Sequence, residues 1–153
     1  MEKTIVLNGK ETRFKVSAAT NILYKRVFKE DLLLKLSSYS KNVKELKAIQ
    51  GRMEKLKADT TKTKEETAEE MTELVNSDVF EKINSFSSET LPKLAYIMYI
   101  EANETEDTIF RMLTEEKYLI WLLGINQGEL VDITKEVMAL WKEGANNTSK
   151  QKN

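Results

Sequence analysis

The chain has 153 residues, of which 41% are hydrophobic and 32% are charged, and its formal net charge is −1. This length fits one domain with a single core, and the near-neutral charge leaves no long-range field that would attract nucleic acid or an anionic membrane. The absence of cysteine and histidine excludes disulfides, thiolate metal sites and catalysis by a histidine base. With five glycines and one proline, the composition favours a mainly α fold.

Residues 3–16 carry the signal of a β-hairpin. Asn8-Gly9 is the dipeptide that accepts the positive φ angles of a two-residue type I′ turn. Such a turn pairs Leu7 with Lys10 and continues outward along both strands. The face that this register predicts to be apolar consists of Ile5, Leu7, Thr12, Phe14 and Val16. The two outer edges of the hairpin are open to another polypeptide.

A helix capped by Ser17 is predicted to run to about Phe28, and a long charged helical hairpin is predicted over residues 31–76. The first arm of this hairpin carries a narrow apolar seam with spacings of three and four residues. The seam consists of Leu36, Tyr39, Val43, Leu46, Ile49, Met53 and Leu56. A seam of this kind packs either within one chain, which we favour, or between two chains.

The charges of this hairpin are segregated. Residues 41–64 hold eight lysines or arginines and three acids, whereas residues 65–73 hold five glutamates and no base. A turn is predicted over residues 59–63, and the second arm follows with Ala68, Met71, Leu74 and Val75 facing inward. We interpret the charges as exposed salt bridges between the arms. A basic groove for nucleic acid is disfavoured, because the aromatic residues needed for base stacking are missing.

Residues 90–124 are predicted to form the core helices. Seven consecutive apolar residues, 94–100, make a helix that is hydrophobic on every side, with Thr90 as its cap. A serine-rich loop, residues 85–88, leads into it. Thr114 caps the next helix, which ends at a glycine. A last amphipathic helix is predicted over residues 129–143, stopped by Gly144 and followed by a flexible tail, residues 145–153, so that the domain spans residues 1–144.

No nucleotide, zinc or nucleophile motif occurs in the chain, and we predict no catalytic, cofactor or metal site. The paired glutamates, such as Glu115-Glu116, are explained by helix N-terminal electrostatics. Four aromatic residues are candidate anchors for a partner protein, with core packing as the alternative. These residues are Tyr96, Tyr99, Trp121 and Trp141. With no signal-peptide core and no apolar run of about 18 residues, we expect neither export nor a membrane span.

The order of these pieces resembles a known family. An Asn8-Gly9-Lys10 hairpin turn is followed by residues 24–33 (YKRVFKEDLL), a Lys/Glu-rich insert over residues 37–86, residues 91–99 (LPKLAYIMY) and residues 121–124 (WLLG) before a last helix. The pattern is similar to that of the tail assembly chaperones of long-tailed phages and prophages of Gram-positive bacteria. The resemblance extends over about residues 3–140.

The resemblance implies a non-enzymatic assembly factor in the host cell cytoplasm that is absent from the mature virion. It implies that the chain coats the tape measure protein and keeps it soluble before the tail tube forms. In this family a frameshifted C-terminal extension often recruits tail tube protein. The alternative is a helical adaptor or structural phage protein that is retained in the particle. Homo-oligomerisation is left open.

Overall fold

The computed structural model describes residues 1–7, 9–75 and 78–151, with side chains as far as Ala145. In this part of the chain a two-stranded antiparallel sheet precedes a series of helices, and helix accounts for 74% of the structure. The elements are β1 (Glu2–Leu7), β2 (Lys10–Lys15), α1 (Thr20–Phe28), α2 (Leu32–Ala58), α3 (Lys64–Val75), α4 (Val79–Ser85), a π-helical turn (Phe86–Thr90), α5 (Leu91–Asn103), α6 (Ile109–Met112), α7 (Glu115–Leu123) and α8 (Gln127–Gln151). The mainly α fold with an N-terminal hairpin and a long charged helical hairpin is confirmed.

The chain divides into two compact units. The first unit comprises Met1–Leu33 and Ser87–Asn153, and the second comprises Leu34–Phe86. The first contains the sheet, α1 and α5 to α8, and the second contains most of α2 with α3 and α4.

The β-hairpin has the register that its turn dipeptide predicts. Leu7 pairs with Lys10 and Lys3 pairs with Phe14, so two residues connect the strands. Gly9 has a φ of 75°, in the left-handed region that favours glycine; Asn8 lies outside the described residues. Phe14 is fully buried because β2 packs against α5.

Helix α5 is the centre of the first unit, as its unbroken apolar run predicts. It contacts β2 and four of the helices, and eight of its residues are buried. These are Leu91, Pro92, Leu94, Ala95, Tyr96, Ile97, Met98 and Ile100. A helix with apolar side chains around its whole circumference is stable in water when other elements cover it, and α1, α6, α7, α8 and β2 provide that cover.

The predicted start of α5 is confirmed, since the helix begins at Leu91 with Thr90 at the N-cap position, but the predicted capping hydrogen bond and the predicted loop before it are wrong. Thr90 is buried and its side chain makes no capping hydrogen bond, and the serines expected to form a loop are helical. Phe86, the first residue of the π-helical turn, stacks its ring on Tyr39 with centroids 4.1 Å apart. Tertiary packing of this kind overrides the weak helix propensity of serine.

The predicted Ser17 cap is also wrong, since α1 begins at Thr20. The hydroxyls of Ser17 and Thr20 donate instead to Glu101, each at 2.6 Å and each to a different carboxylate oxygen. This carboxylate therefore joins the start of α1 to α5. Burial raises the pKa of Glu101, although the two hydroxyls, Lys15 and the terminal ammonium act in the opposite direction.

We expect Glu101→Gln to change how stability depends on pH. Because the folded-state pKa of Glu101 is raised, its contribution to stability is fully present below its ordinary pKa of 4.5 and is lost as pH rises through the folded-state value. A glutamine cannot ionise, so the variant should gain stability relative to the wild type across that window. Urea unfolding at a series of pH values measures this difference, with the exposed Glu106→Gln as control. A difference that stays constant with pH would contradict the expectation.

Helix α8 does not end at Gly144, contrary to the prediction, and its backbone stays helical through the first part of the expected tail to Gln151. The glycine has a packing role. A Cβ atom built at Gly144 would lie 2.8 Å from Cγ1 of Val16, the residue that follows β2. Glycine at this position therefore lets the hairpin approach α8 closely. Lys3 of β1 forms a further link, an ion pair with Glu136 of α8.

Gly144→Ala should destabilise the protein by about 1–3 kcal/mol, because the added methyl group overlaps a buried valine. The matched control is Gly51→Ala in α2, where an added Cβ meets no atom within 4 Å; there the higher helix propensity of alanine should stabilise by about 0.5–1 kcal/mol. Combining Gly144→Ala with Val16→Ala should recover part of the loss. Chemical denaturation measures all of these variants. Equal effects of the two glycine substitutions would show that Val16 adjusts without cost.

The second unit contains the charged hairpin. Its connection is the predicted turn, in which Asp59 Oδ1 accepts hydrogen bonds from the backbone N–H and the hydroxyl of Thr61 at 2.9 and 2.6 Å. The predicted inward positions of α3 are confirmed for Met71 and Leu74, which are half-buried. The prediction is wrong for Ala68 and Val75, which are exposed.

Candidate protein-binding surface

The structure brings three of the four predicted anchor residues together. The rings of Tyr99 and Trp121 stack with centroids 5.7 Å apart, and Tyr96 lies 5.5 Å from Trp121. Among the described residues, Trp141 makes no ring contact with the other three and lies half-buried on α8. α5 and α7 thus position this cluster, with Tyr96 and Tyr99 from α5 and Trp121 from α7.

Tyr96 belongs to the core. It is 1% exposed, and its hydroxyl donates a hydrogen bond to the carbonyl of Met112. Burial, together with the nearby Glu104 and Tyr99, raises its pKa to about 12. Tyr99 and Trp121 are half-buried, so part of each ring is accessible to a partner. Tyr96 is buried and contacts the ring of Trp121.

The cluster continues into the interior as a chain of aromatic rings. Tyr118 of α7 lies 5.6 Å from Tyr96 and 5.1 Å from Phe28 of α1, in an edge-to-face arrangement with the latter. Burial raises the pKa of Tyr118 to about 12. These contacts fix the inner face of α7, because Tyr118 and Trp121 are three residues apart and lie on the same side of the helix.

The opposite face of α7 is an exposed apolar surface, which we call the α7 face. It consists of Leu119, Ile120 and Leu123, whose side chains are 55%, 57% and 87% exposed. Leu119 and Ile120 precede Leu123 by four and three residues, so both lie next to it on the helix surface. The α7 face is the functional candidate that the sequence prediction missed.

Helix α7 is firmly capped. The Thr114 hydroxyl accepts a hydrogen bond from the backbone N–H of Lys117 at 3.2 Å, as its sequence position predicts. The exposed Glu115 and Glu116 follow in the first turn, where negative charge stabilises a helix. After Gly124, a second cap starts α8, in which Asn126 Oδ1 accepts from the N–H of Glu129 at 2.9 Å. The α7 face is therefore held on a short helix that is defined at both ends.

A second exposed apolar group lies on α1 and α6. Phe110 is 54% exposed and its ring lies under the guanidinium of Arg26, with the carbon 4.5 Å from the ring centroid. Ile22, one turn before Arg26 on α1, is 69% exposed. A cation over the ring partly covers Phe110, so we rank this group below the α7 face.

The paired glutamates act as helix-start residues. Glu66 and Thr63 exchange hydrogen bonds in a capping box, with the N–H of Glu66 donating to Thr63 Oγ1 at 3.2 Å. Glu70 accepts from the Lys62 ammonium at 2.5 and 2.7 Å. Within the described residues, no group of three or more histidine, cysteine or acidic side chains is placed to hold a metal ion.

No family model, curated protein or solved structure matches the chain. No helix in the described ranges has both the length and the apolar composition that crossing a membrane requires.

Proposed function

We propose that the protein is a phage tail assembly chaperone that binds the tape measure protein, keeps it soluble and helps recruit tail tube subunits. It acts in the host cell cytoplasm, without catalysis or a cofactor, and is absent from the finished virion. The observation that carries the proposal is the α7 face, an apolar helix surface that is exposed in the described part of the chain.

The distribution of the family-like residues supports the proposal. The segments that resemble tail assembly chaperones, residues 24–33, 91–99 and 121–124, all lie in the first compact unit. The Lys/Glu-rich insert, residues 37–86, falls within the second unit, Leu34–Phe86. The segments that carry the resemblance therefore belong to one compact unit, and the α7 face belongs to the same unit.

The α7 face suits the proposed partner. A tape measure protein is a long helical chain with apolar faces, and a helix face of this kind binds an amphipathic helix through residues one turn apart. Three exposed aliphatic side chains give a weak individual contact. Many copies along one filament would still hold through effective concentration, and each copy would remain releasable when tube protein displaces it.

Co-expression tests the proposal. The tape measure protein should accumulate in the soluble fraction when this chain is present and in the insoluble fraction when it is absent. Mass spectrometry of purified virions should then detect tail tube protein but not this chain. A tape measure protein whose solubility is unaffected by co-expression, or a virion that retains the chain, would overturn the proposal.

A further inference from the structure

The charged hairpin fully buries one residue of its apolar seam and leaves the other seam residues partly exposed. Within residues 34–75, Ile49 is the one large apolar side chain that is buried, at 4% exposure, and α3 has no buried residue. The remaining seam residues from Leu36 to Leu56, like Met71 and Leu74 of α3, are half-buried. Packing within this chain therefore covers the seam incompletely, although an intramolecular hairpin is the arrangement that the spacing favoured.

An open groove of about 570 Å³ lies between the two arms near their connection. Leu56 and Leu74 supply apolar lining, and the two arms contribute opposite charges. Arg52 and Lys55 line the groove from α2, whereas Glu70 and Glu73 line it from α3. In the described part of the chain, no ion pair joins Arg52 or Lys55 to either glutamate of the groove. Glu70 forms an ion pair with Lys62.

We propose that a second copy of this chain covers the groove, so that two hairpins form a four-helix bundle. In a two-fold symmetric interface the same surface contacts itself, so it must be self-complementary. A groove with one basic and one acidic side meets this condition. A two-fold axis parallel to the helices places α2 of each chain over α3 of the other.

The register agrees with this arrangement. Arg52 lies six residues before the end of α2 at Ala58, and Glu70 lies six residues after the start of α3 at Lys64. A rotation about an axis along the hairpin keeps these residues at the same height, so Arg52 of one copy faces Glu70 of the other. A rotation about an axis across the hairpin would instead place α2 over α2 and bring basic residues together, which is repulsive.

The mixed charge also argues against other occupants. Nucleic acid or an acidic peptide would be repelled by Glu70 and Glu73, and a basic peptide would be repelled by Arg52 and Lys55. A second copy places its acidic side against the basic side of the first copy, and its basic side against the acidic side. The twelve residues of α3 extend about 18 Å, which is short for an interface of about 800 Å² per partner, so we expect a dimer with a dissociation constant of about micromolar order.

Sedimentation velocity of the full chain over a wide concentration series tests this inference, which does not depend on the proposed function. The weight-average mass should rise from 17.7 kDa towards twice that value. The basic-rim variant Arg52→Glu/Lys55→Glu and the acidic-rim variant Glu70→Lys/Glu73→Lys should each remain monomeric. The control Lys44→Glu/Lys47→Glu makes the same charge change at exposed positions of α2 outside the groove and should dimerise normally.

An equimolar mixture of the two rim variants completes the test. Both sides of the groove are acidic in Arg52→Glu/Lys55→Glu and basic in Glu70→Lys/Glu73→Lys. The mixture should therefore form dimers of one variant with the other, while neither variant dimerises alone. Recovery in the mixture also shows that each variant is folded. A wild type that stays monomeric at about 500 µM, far above the expected dissociation constant, would overturn the inference. So would rim variants that dimerise like the control, or a mixture that stays monomeric.

Discussion

If the chain acts as proposed, replacing Leu119 and Leu123 with glutamate is expected to abolish its ability to keep the tape measure protein soluble. If the α7 face packs against an apolar helix, the variant must bury two unpaired carboxylates in that contact, which is strongly unfavourable. Affinity should fall by more than about 10-fold, because burying an unpaired charge in the contact costs more than the roughly 1.4 kcal/mol that corresponds to a tenfold change. The soluble fraction of the co-expressed partner gives the first readout, and pull-down with the purified variant gives the second.

The structure offers matched controls for this experiment. Val6 and Val131 are also exposed, at 66% and 53%, but they lie on β1 and α8. The double variant Val6→Glu/Val131→Glu introduces the same charge without touching α7, and it should solubilise the partner normally. The two positions on α7 and the two control positions are all exposed. We therefore expect each substitution to change the free energy of unfolding by no more than about 0.5 kcal/mol. Normal solubilisation by Leu119→Glu/Leu123→Glu would exclude the α7 face as the binding surface.

Ile97→Ala is expected to destabilise the first unit by about 2–5 kcal/mol. The Ile97 side chain is fully buried in α5, where truncation removes apolar contacts and leaves a cavity among the surrounding helices. The same substitution at Ile22 of α1, which is 69% exposed, should change stability by less than about 0.5 kcal/mol. Thermal and chemical unfolding of the two variants measure the difference. Similar losses at both positions would contradict the central place of α5.

Local sequence signals predicted the hairpin and α5 because each has one dominant physical cause. Gly9 supplies the positive φ that the turn needs, and alternation then determines which side chains lie against the core. The run 94–100 is apolar on all sides, so no arrangement other than burial is stable. The end of α8 could not be predicted in this way. Gly144 is a common stop signal, and its contact with Val16 joins positions far apart in the sequence.

The exposed α7 face was harder to predict than the fold. Residues 118–123 are all apolar, so periodicity cannot distinguish the side of α7 that faces the core. Aromatic residues are typical interface anchors, which favoured Tyr96 and Trp121. In the structure these rings pack against one another, and the aliphatic Leu119 and Leu123 remain outside. The side of α7 that faces the core is determined by contacts of Tyr118 with α1 and of Trp121 with α5, which are distant in the sequence.

The second compact unit occupies one uninterrupted stretch of the chain, Leu34–Phe86, between the two segments that build the first unit. The buried residues of α5 lie outside that stretch. The length and charge of the helices in that stretch can therefore change without changing the identity of any buried α5 residue. The proposed self-association of the charged hairpin and the proposed contact at the α7 face therefore depend on separate stretches of the sequence.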